Sequence, residues 1–107
     1  MRMITMGALT PHWTEHAKQK MRFYGLSEAR LRRVMRNPFR VEEGIAPKTT
    51  ALMQPANPKH TSEIWLMYQK RRGTLVMITA WRYPGKSPVR GALPIPDEIR
   101  RELSFGV

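Results

Sequence analysis

His16 and Lys20 are the residues of this chain whose types and spacing best suit chemistry. Four positions apart, they share one face of a helix, so an imidazole and an ammonium can approach a single phosphate. Arg82 and Tyr83, at the end of an apolar run, offer a guanidinium for a charged intermediate and a ring for base stacking. Such a set suits RNA cleavage by the RNA's own 2′-hydroxyl. That reaction needs a base to take a proton, cations to stabilise the phosphorane and an acid for the leaving oxygen. His16 would serve as acid or base, with Lys20 and Arg82 stabilising the transition state. The plainer alternative is that His16 packs at the base of its helix and hydrogen-bonds a backbone carbonyl.

Other chemistries fit poorly. The absence of cysteine removes disulfides and thiolate metal sites. His12, His16 and His60 are the three histidines, and Glu15 stands beside His16. His12 follows Pro11 and so is expected to precede the helix, which breaks up the pair; no metal and no cofactor is expected. Eight Asp and Glu, mostly in caps and turns, do not suggest a glycosidase pair, and no elbow motif places a serine nucleophile. Pro84-Gly85-Lys86-Ser87 resembles the end of a phosphate-binding loop. The pattern requires Gly where Ala80 stands, and Pro88 follows where a helix should begin, although Lys86 remains free to touch a phosphate.

The elements that must position these residues follow from periodicity. Trp13, Ala17, Met21 and Tyr24 mark one face of a helix over residues 14–24, closed by Gly25. Ser27 caps a second helix with Glu28 in its first turn and Leu31, Val34 and Met35 inward; Asn37-Pro38 stops it. Strands are then expected at 39–41, 48–53, 64–68 and 74–83. Lys70 to Gly73 forms a turn, Gln54 to His60 a loop, and Pro84 to Pro94 an irregular stretch. Pro96-Asp97-Glu98 opens a short final helix that ends near Leu103. Thr10-Pro11 reads as a breaker ahead of the first helix. The expected fold is α+β: two N-terminal helices on one face of a curled antiparallel sheet of about four strands, with a short C-terminal helix, in one domain over residues 1–107.

Charge narrows the partners. Nineteen Lys and Arg against eight Asp and Glu give +11, with an isoelectric point near 11.1. A polyanion would relieve that self-repulsion. From Lys18 to Arg40 eight basic residues face a single acid, Glu28. With the apolar stripe of the second helix turned inward, Arg30, Arg32, Arg33 and Arg36 point outward and could neutralise several phosphates. The alternative is a solvated face, but a face made for solubility normally interleaves both signs. Arg71 and Arg72 at the hairpin tip, and Lys86 beyond the last strand, extend the candidate nucleic-acid contacts. Trp81 is expected in the core. No run approaches the roughly 18 apolar residues of a membrane span, and Met1 to Leu9 does not read as a secretory signal, so a cytoplasmic protein is expected.

His16-Ala17-Lys18-Gln19-Lys20-Met21 followed by Gly25-Leu26-Ser27 resembles H-A-x-x-[RK]-M-x-x-R-G-[IL]-S, with Tyr24 where the motif has Arg. That pattern opens a family of small bacterial proteins related to the RelE/ParE toxins. Asn37-Pro38 and the strand Val76 to Trp81 fit it too, so the resemblance covers roughly residues 12–83. It implies two helices packed on a compact antiparallel sheet. It also implies a toxin of a toxin–antitoxin pair, often an endoribonuclease acting on messenger RNA, with His16 as the helix histidine. The expected partners are then RNA, free or on the ribosome, and an acidic antitoxin protein. Two other functions use the same features: a non-catalytic nucleic-acid or ribosome binder, and a toxin-like protein that inhibits a protein target such as a topoisomerase.

Overall fold

A computed structural model describes residues 10–59 and 61–103. His60 of the expected loop and the stretch Met1 to Leu9 lie outside the described residues. The order is β1 (Thr10–Trp13), α1 (Glu15–Tyr24), α2 (Glu28–Arg36), β2 (Arg40–Glu43), β3 (Thr49–Pro55), β4 (Ser62–Arg71), β5 (Thr74–Pro84) and α3 (Asp97–Leu103). The fold is α+β, with an open sheet in the order β1-β5-β4-β3-β2.

The centre of the sheet is the β4–β5 hairpin. Its tip is tighter than the sequence suggests: Lys70 and Arg71 still pair with Leu75 and Thr74, leaving Arg72-Gly73 as the two-residue turn. Both turn residues have positive φ, 44° and 81°, which is the type I′ geometry that matches strand twist. β4 is apolar on both faces because both are covered. Ile64, Leu66 and Tyr68 meet Leu31, Val34 and Met35 of α2, while Trp65 and Met67 meet Ile95 and Ile99 on the other side. Trp65 and Trp81 stack across the strands at 5.6 Å and 3°.

Two features depart from the expected antiparallel, four-stranded sheet. The first is β1. The residues read as a breaker form a fifth strand instead, parallel to β5, from Thr10 opposite Thr74 to Trp13 opposite Met77. Pro11 is tolerated because β1 is an edge strand. The second is a bulge. Met67 pairs with Thr79 and Tyr68 with Met77, so Ile78 is an extra residue on β5. Past it the side-chain phase reverses: Leu75, Met77 and Ala80 share the helix side, while Trp81 joins the α3 side.

Both helices begin and end as their caps dictate. The Thr14 side chain accepts from the Ala17 N–H at 3.0 Å, and that of Ser27 from Arg30 at 3.0 Å. Gly25 takes the left-handed conformation at φ 67°, and the Leu26 N–H reaches back to the Met21 carbonyl at 2.7 Å.

On the opposite face, the segment after β5 is pinned by a buried carboxylate. Glu63, 4% exposed, accepts from Trp65 Nε1 at 2.9 Å, the Ser87 N–H at 3.0 Å and Ser87 Oγ at 2.7 Å. Arg40 donates to Ser87 Oγ at 2.8 Å and to Glu42 through two nitrogens, with its guanidinium 5.2 Å from the Trp65 ring centroid. Pro84 to Ser87 is therefore a structural strap: its serine points inward at a carboxylate, where a nucleotide phosphate would be repelled. Glu63→Ala should lower stability by about 3 kcal/mol, because it strands several buried donors at once. Ser87→Ala, which removes one hydroxyl and keeps the backbone bond, should cost about 1 kcal/mol. Urea denaturation of the two variants beside the wild type checks the order.

Candidate nucleic-acid interface

α1 brings His16 and Lys20 together as the spacing predicts, and α3 supplies a partner. Lys20 is 7% exposed, with its Nζ 2.8 Å from Glu102 Oε1 and 5.6 Å from the Phe23 ring centroid. The same carboxylate oxygen lies 3.7 Å from His16 Nδ1, and His16 Nε2 lies 3.0 Å from Thr79 Oγ1. A carboxylate on the Nδ1 side favours the Nδ1–H tautomer, in which Nε2 accepts from the Thr79 hydroxyl. Burial lowers the His16 pKa most, Glu102 raises it and Lys20 lowers it, so the imidazole is held below its ordinary value and neutral at pH 7. The Glu102 carboxyl is itself held low by its bond to Lys20. Burial and then Glu98 push the Tyr24 phenol up.

Thr79, His16 and Glu102 thus stand in the order of nucleophile, base and orienting carboxylate. Thr79 is 0% exposed in the middle of β5, so no substrate can reach its hydroxyl. The His16 side chain keeps 19% exposure and that of Lys20 9%. Sequence reasoning missed Glu102. Its signal was the i, i+4 spacing of Glu98 and Glu102 on one face of α3, opposite in charge to Lys20.

Arg82 and Tyr83 stand apart from this pair. Arg82 Nε donates to the Tyr24 carbonyl at 2.8 Å, at the far end of α1. Tyr24 lies eight residues beyond His16, or about 12 Å of helix. Tyr83 points to the other face of β5, against the Trp65–Trp81 cluster.

The basic positions are also divided. Arg30 is a fixed wall: its guanidinium donates to Gln54 Oε1 at 2.6 Å and to the Pro55 and Ala56 carbonyls. Arg32 lies 3.7 Å from Glu28 and 6.0 Å from the Trp13 ring centroid. Arg33 and Arg36 are exposed, and their guanidiniums have no hydrogen-bond or carboxylate partner among the described residues. Burial, then Arg33 and Arg82, lower the Arg30 pKa. Gln54, Ile64 and Arg82 stand in line across β3, β4 and β5, so Arg30 on Gln54, Arg33 one turn along α2 and Arg82 share one side of the sheet, where like charges repel. Arg71 and Arg72 sit towards the other end of β4, with Arg71 seven residues on from Ile64, the partner of Arg82, or about 23 Å away. Lys86 is exposed on the strap, across the sheet from α2.

Among the described residues no group of three or more His, Asp or Glu gathers as a metal would require, and no helix is long and apolar enough to cross a membrane. His12 lies in β1, off the helix that carries His16. Compared with known proteins, the chain matches no family model, no curated protein and no solved structure.

The charges around His16 set a titration that can be read directly. Its midpoint by NMR should lie below the ordinary value of about 6.5. Glu102→Gln should move it further down and Lys20→Met should move it up. Because the folded pKa is below the unfolded one, the contribution of His16 to stability is full above about pH 6.5 and is lost as pH falls towards the folded value. A midpoint above 6.5, or opposite shifts in the two variants, would contradict this account of the site.

Proposed function

We propose that this protein binds RNA through the outer face of α2, in the manner of a toxin-like domain. The observation that carries the reading is the Arg30–Arg33–Arg82 centre. Arg30 is bonded to Gln54, which stands opposite Ile64 and thereby in line with Arg82 across β3, β4 and β5, while Arg33 follows one turn along α2. Such an arrangement is self-repelling in the free protein and relieved by phosphates. Arg36 extends the face by one turn. The net charge of +11 acts in the same direction over longer distances. RNA, free or on the ribosome, is the partner of this reading, and an acidic antitoxin would compete for the same face.

A second reading, endoribonucleolytic cleavage, is favoured by the neutral His16 beside the Lys20 ammonium. In it, His16 takes the proton of a 2′-hydroxyl as that oxygen attacks the adjacent phosphorus. Lys20 stabilises the phosphorane, and the His16 imidazolium returns its proton to the departing 5′-oxygen, producing a 2′,3′-cyclic phosphate and a 5′-hydroxyl with the neutral imidazole restored. Glu102 holds the Lys20 ammonium at 2.8 Å and Thr79 holds the His16 Nε2 at 3.0 Å, so the substrate phosphate must displace the carboxylate and its 2′-hydroxyl must replace the threonine hydroxyl. The resemblance of residues 16–27 to the toxin motif supports this chemistry.

Binding and cleavage separate experimentally. RNA affinity should fall linearly with the logarithm of salt concentration. Arg33→Gln with Arg36→Gln should flatten that slope by about one unit for each phosphate no longer neutralised. His16→Ala should leave affinity intact while abolishing any cutting of a defined RNA, with or without ribosomes. Fluorescence anisotropy and gel analysis of the RNA report the two quantities. A wild-type protein without salt-sensitive RNA affinity would refute the binding reading. Equal cutting by the wild type and His16→Ala would remove His16 from any cleavage site.

A further inference from the structure

An open groove of ≈590 Å³ runs between the C-terminal part of α2 and the end of β3, within the size range of sites for small organic groups. Its floor is rigid. Gln54 accepts from Arg30 through Oε1, and its Nε2 donates to the Asn37 carbonyl at 2.8 Å and the Arg33 carbonyl at 3.3 Å. Both ends of the amide are thereby used, which ties α2 to β3. At the margin stands Phe39. Its backbone N–H is fixed to the Met53 carbonyl at 2.7 Å, yet the residue is 70% exposed. Phe23, Val41 and Val89 are also large, apolar and exposed among the described residues, but of these four Phe39 alone lines the groove. Arg33 lines it too and directs a guanidinium without a carboxylate partner to the same surface.

We propose that this groove holds one nucleotide of a single-stranded RNA, with its base stacked on Phe39 and its phosphate facing Arg33. The inference rests on the RNA-binding reading above and adds the form of RNA and the residue that meets the base. A planar apolar ring on an anchored backbone, beside a fixed positive centre, is the arrangement by which proteins hold unpaired bases. Duplex RNA does not suit it, since its bases are stacked inside the helix. An extended peptide does not suit it either. β3 is paired with both β2 and β4 from Thr50 to Met53, and the two residues beyond, Gln54 and Pro55, leave too short an edge for a strand to join, one of them without an N–H to donate. From the groove the charges continue through Arg30 to Arg82, which is bonded to the Tyr24 carbonyl one turn from Lys20. A strand entering at Phe39 would follow that line towards the His16 cluster.

The test compares a short unstructured oligoribonucleotide, the same sequence as a duplex, and inorganic polyphosphate, each titrated with wild type, Phe39→Ala and Phe39→Tyr. Phe39→Ala should weaken the single strand about tenfold, as loss of one stacked base would. Phe39→Tyr should restore affinity, and polyphosphate should bind all three proteins equally. An exposed ring contributes little to the core, so the thermal midpoint of Phe39→Ala should match that of the wild type. Wild-type binding of RNA that Phe39→Ala leaves unchanged would overturn the groove assignment alone. A Phe39→Ala loss that is equal for RNA and polyphosphate would overturn base stacking. Absence of RNA binding by the wild type would overturn this inference together with the reading it rests on.

Discussion

Beyond Met77, β5 has no strand on its outer side among the described residues, and the polar groups of that edge must be met by something else. β1 ends at Trp13, opposite Met77, and the chain turns there into α1. Thr14 makes the turn possible. Its hydroxyl lies 3.1 Å from the Met77 carbonyl and 3.2 Å from that of Ile78, while the same oxygen caps α1 by accepting from Ala17. From there the helix runs along the edge, with His16 at Thr79 and the Tyr24 carbonyl at Arg82. An unpaired strand edge is both a desolvation penalty and an aggregation hazard, and a helix laid along it removes both. The distances from α1 to Thr79 and Arg82 follow from that docking.

The same constraint explains why so few carboxylates suffice in so basic a chain. Glu63 is buried where several donors converge, and it organises Ser87, Trp65 and Arg40 under the strap. Glu102 meets Lys20 and His16 where α3 crosses α1. Glu28 and Glu42 pair locally with Arg32 and Arg40. Glu28 is the one acid of α2 and pairs with Arg32, which leaves Arg33 and Arg36 on its outer turns without a carboxylate among the described residues.

The two faces of the sheet have separate roles. The side of α1 and α2 carries the basic centre and the groove at Phe39. The other side carries the tryptophan pair, α3 and the strap, where Arg40 serves packing and hydrogen bonding. The bulge at Ile78 allows both, because it turns Trp81 towards α3 after Met77 has faced the helices. Arg82 is turned to the helix side by the same phase change, and so it reaches the end of α1 and the arginines of α2.

What the sequence determined by itself was local. Caps at Thr14 and Ser27, the stop at Gly25, the inward stripe of α2 and the hairpin at Gly73 all depend on neighbours within a few positions, and periodicity reveals them. The pairing of His16 with Lys20 is of the same kind, set by one helical turn. The tertiary structure decided what depends on distant partners. β1 is four residues with a proline, too short for any period to show, and it exists because β5 offers an edge. The extra residue at Ile78 is visible only in the register against β4, and with it goes the separation of Arg82 from Tyr83. Glu102 joins His16, Ser87 joins Glu63, and Arg30 turns from a free cation into a wall, each through a contact with another part of the chain. Side-chain type and spacing state what a residue can do. Packing decides which groups it meets, because burial and pairing energies belong to the assembled fold.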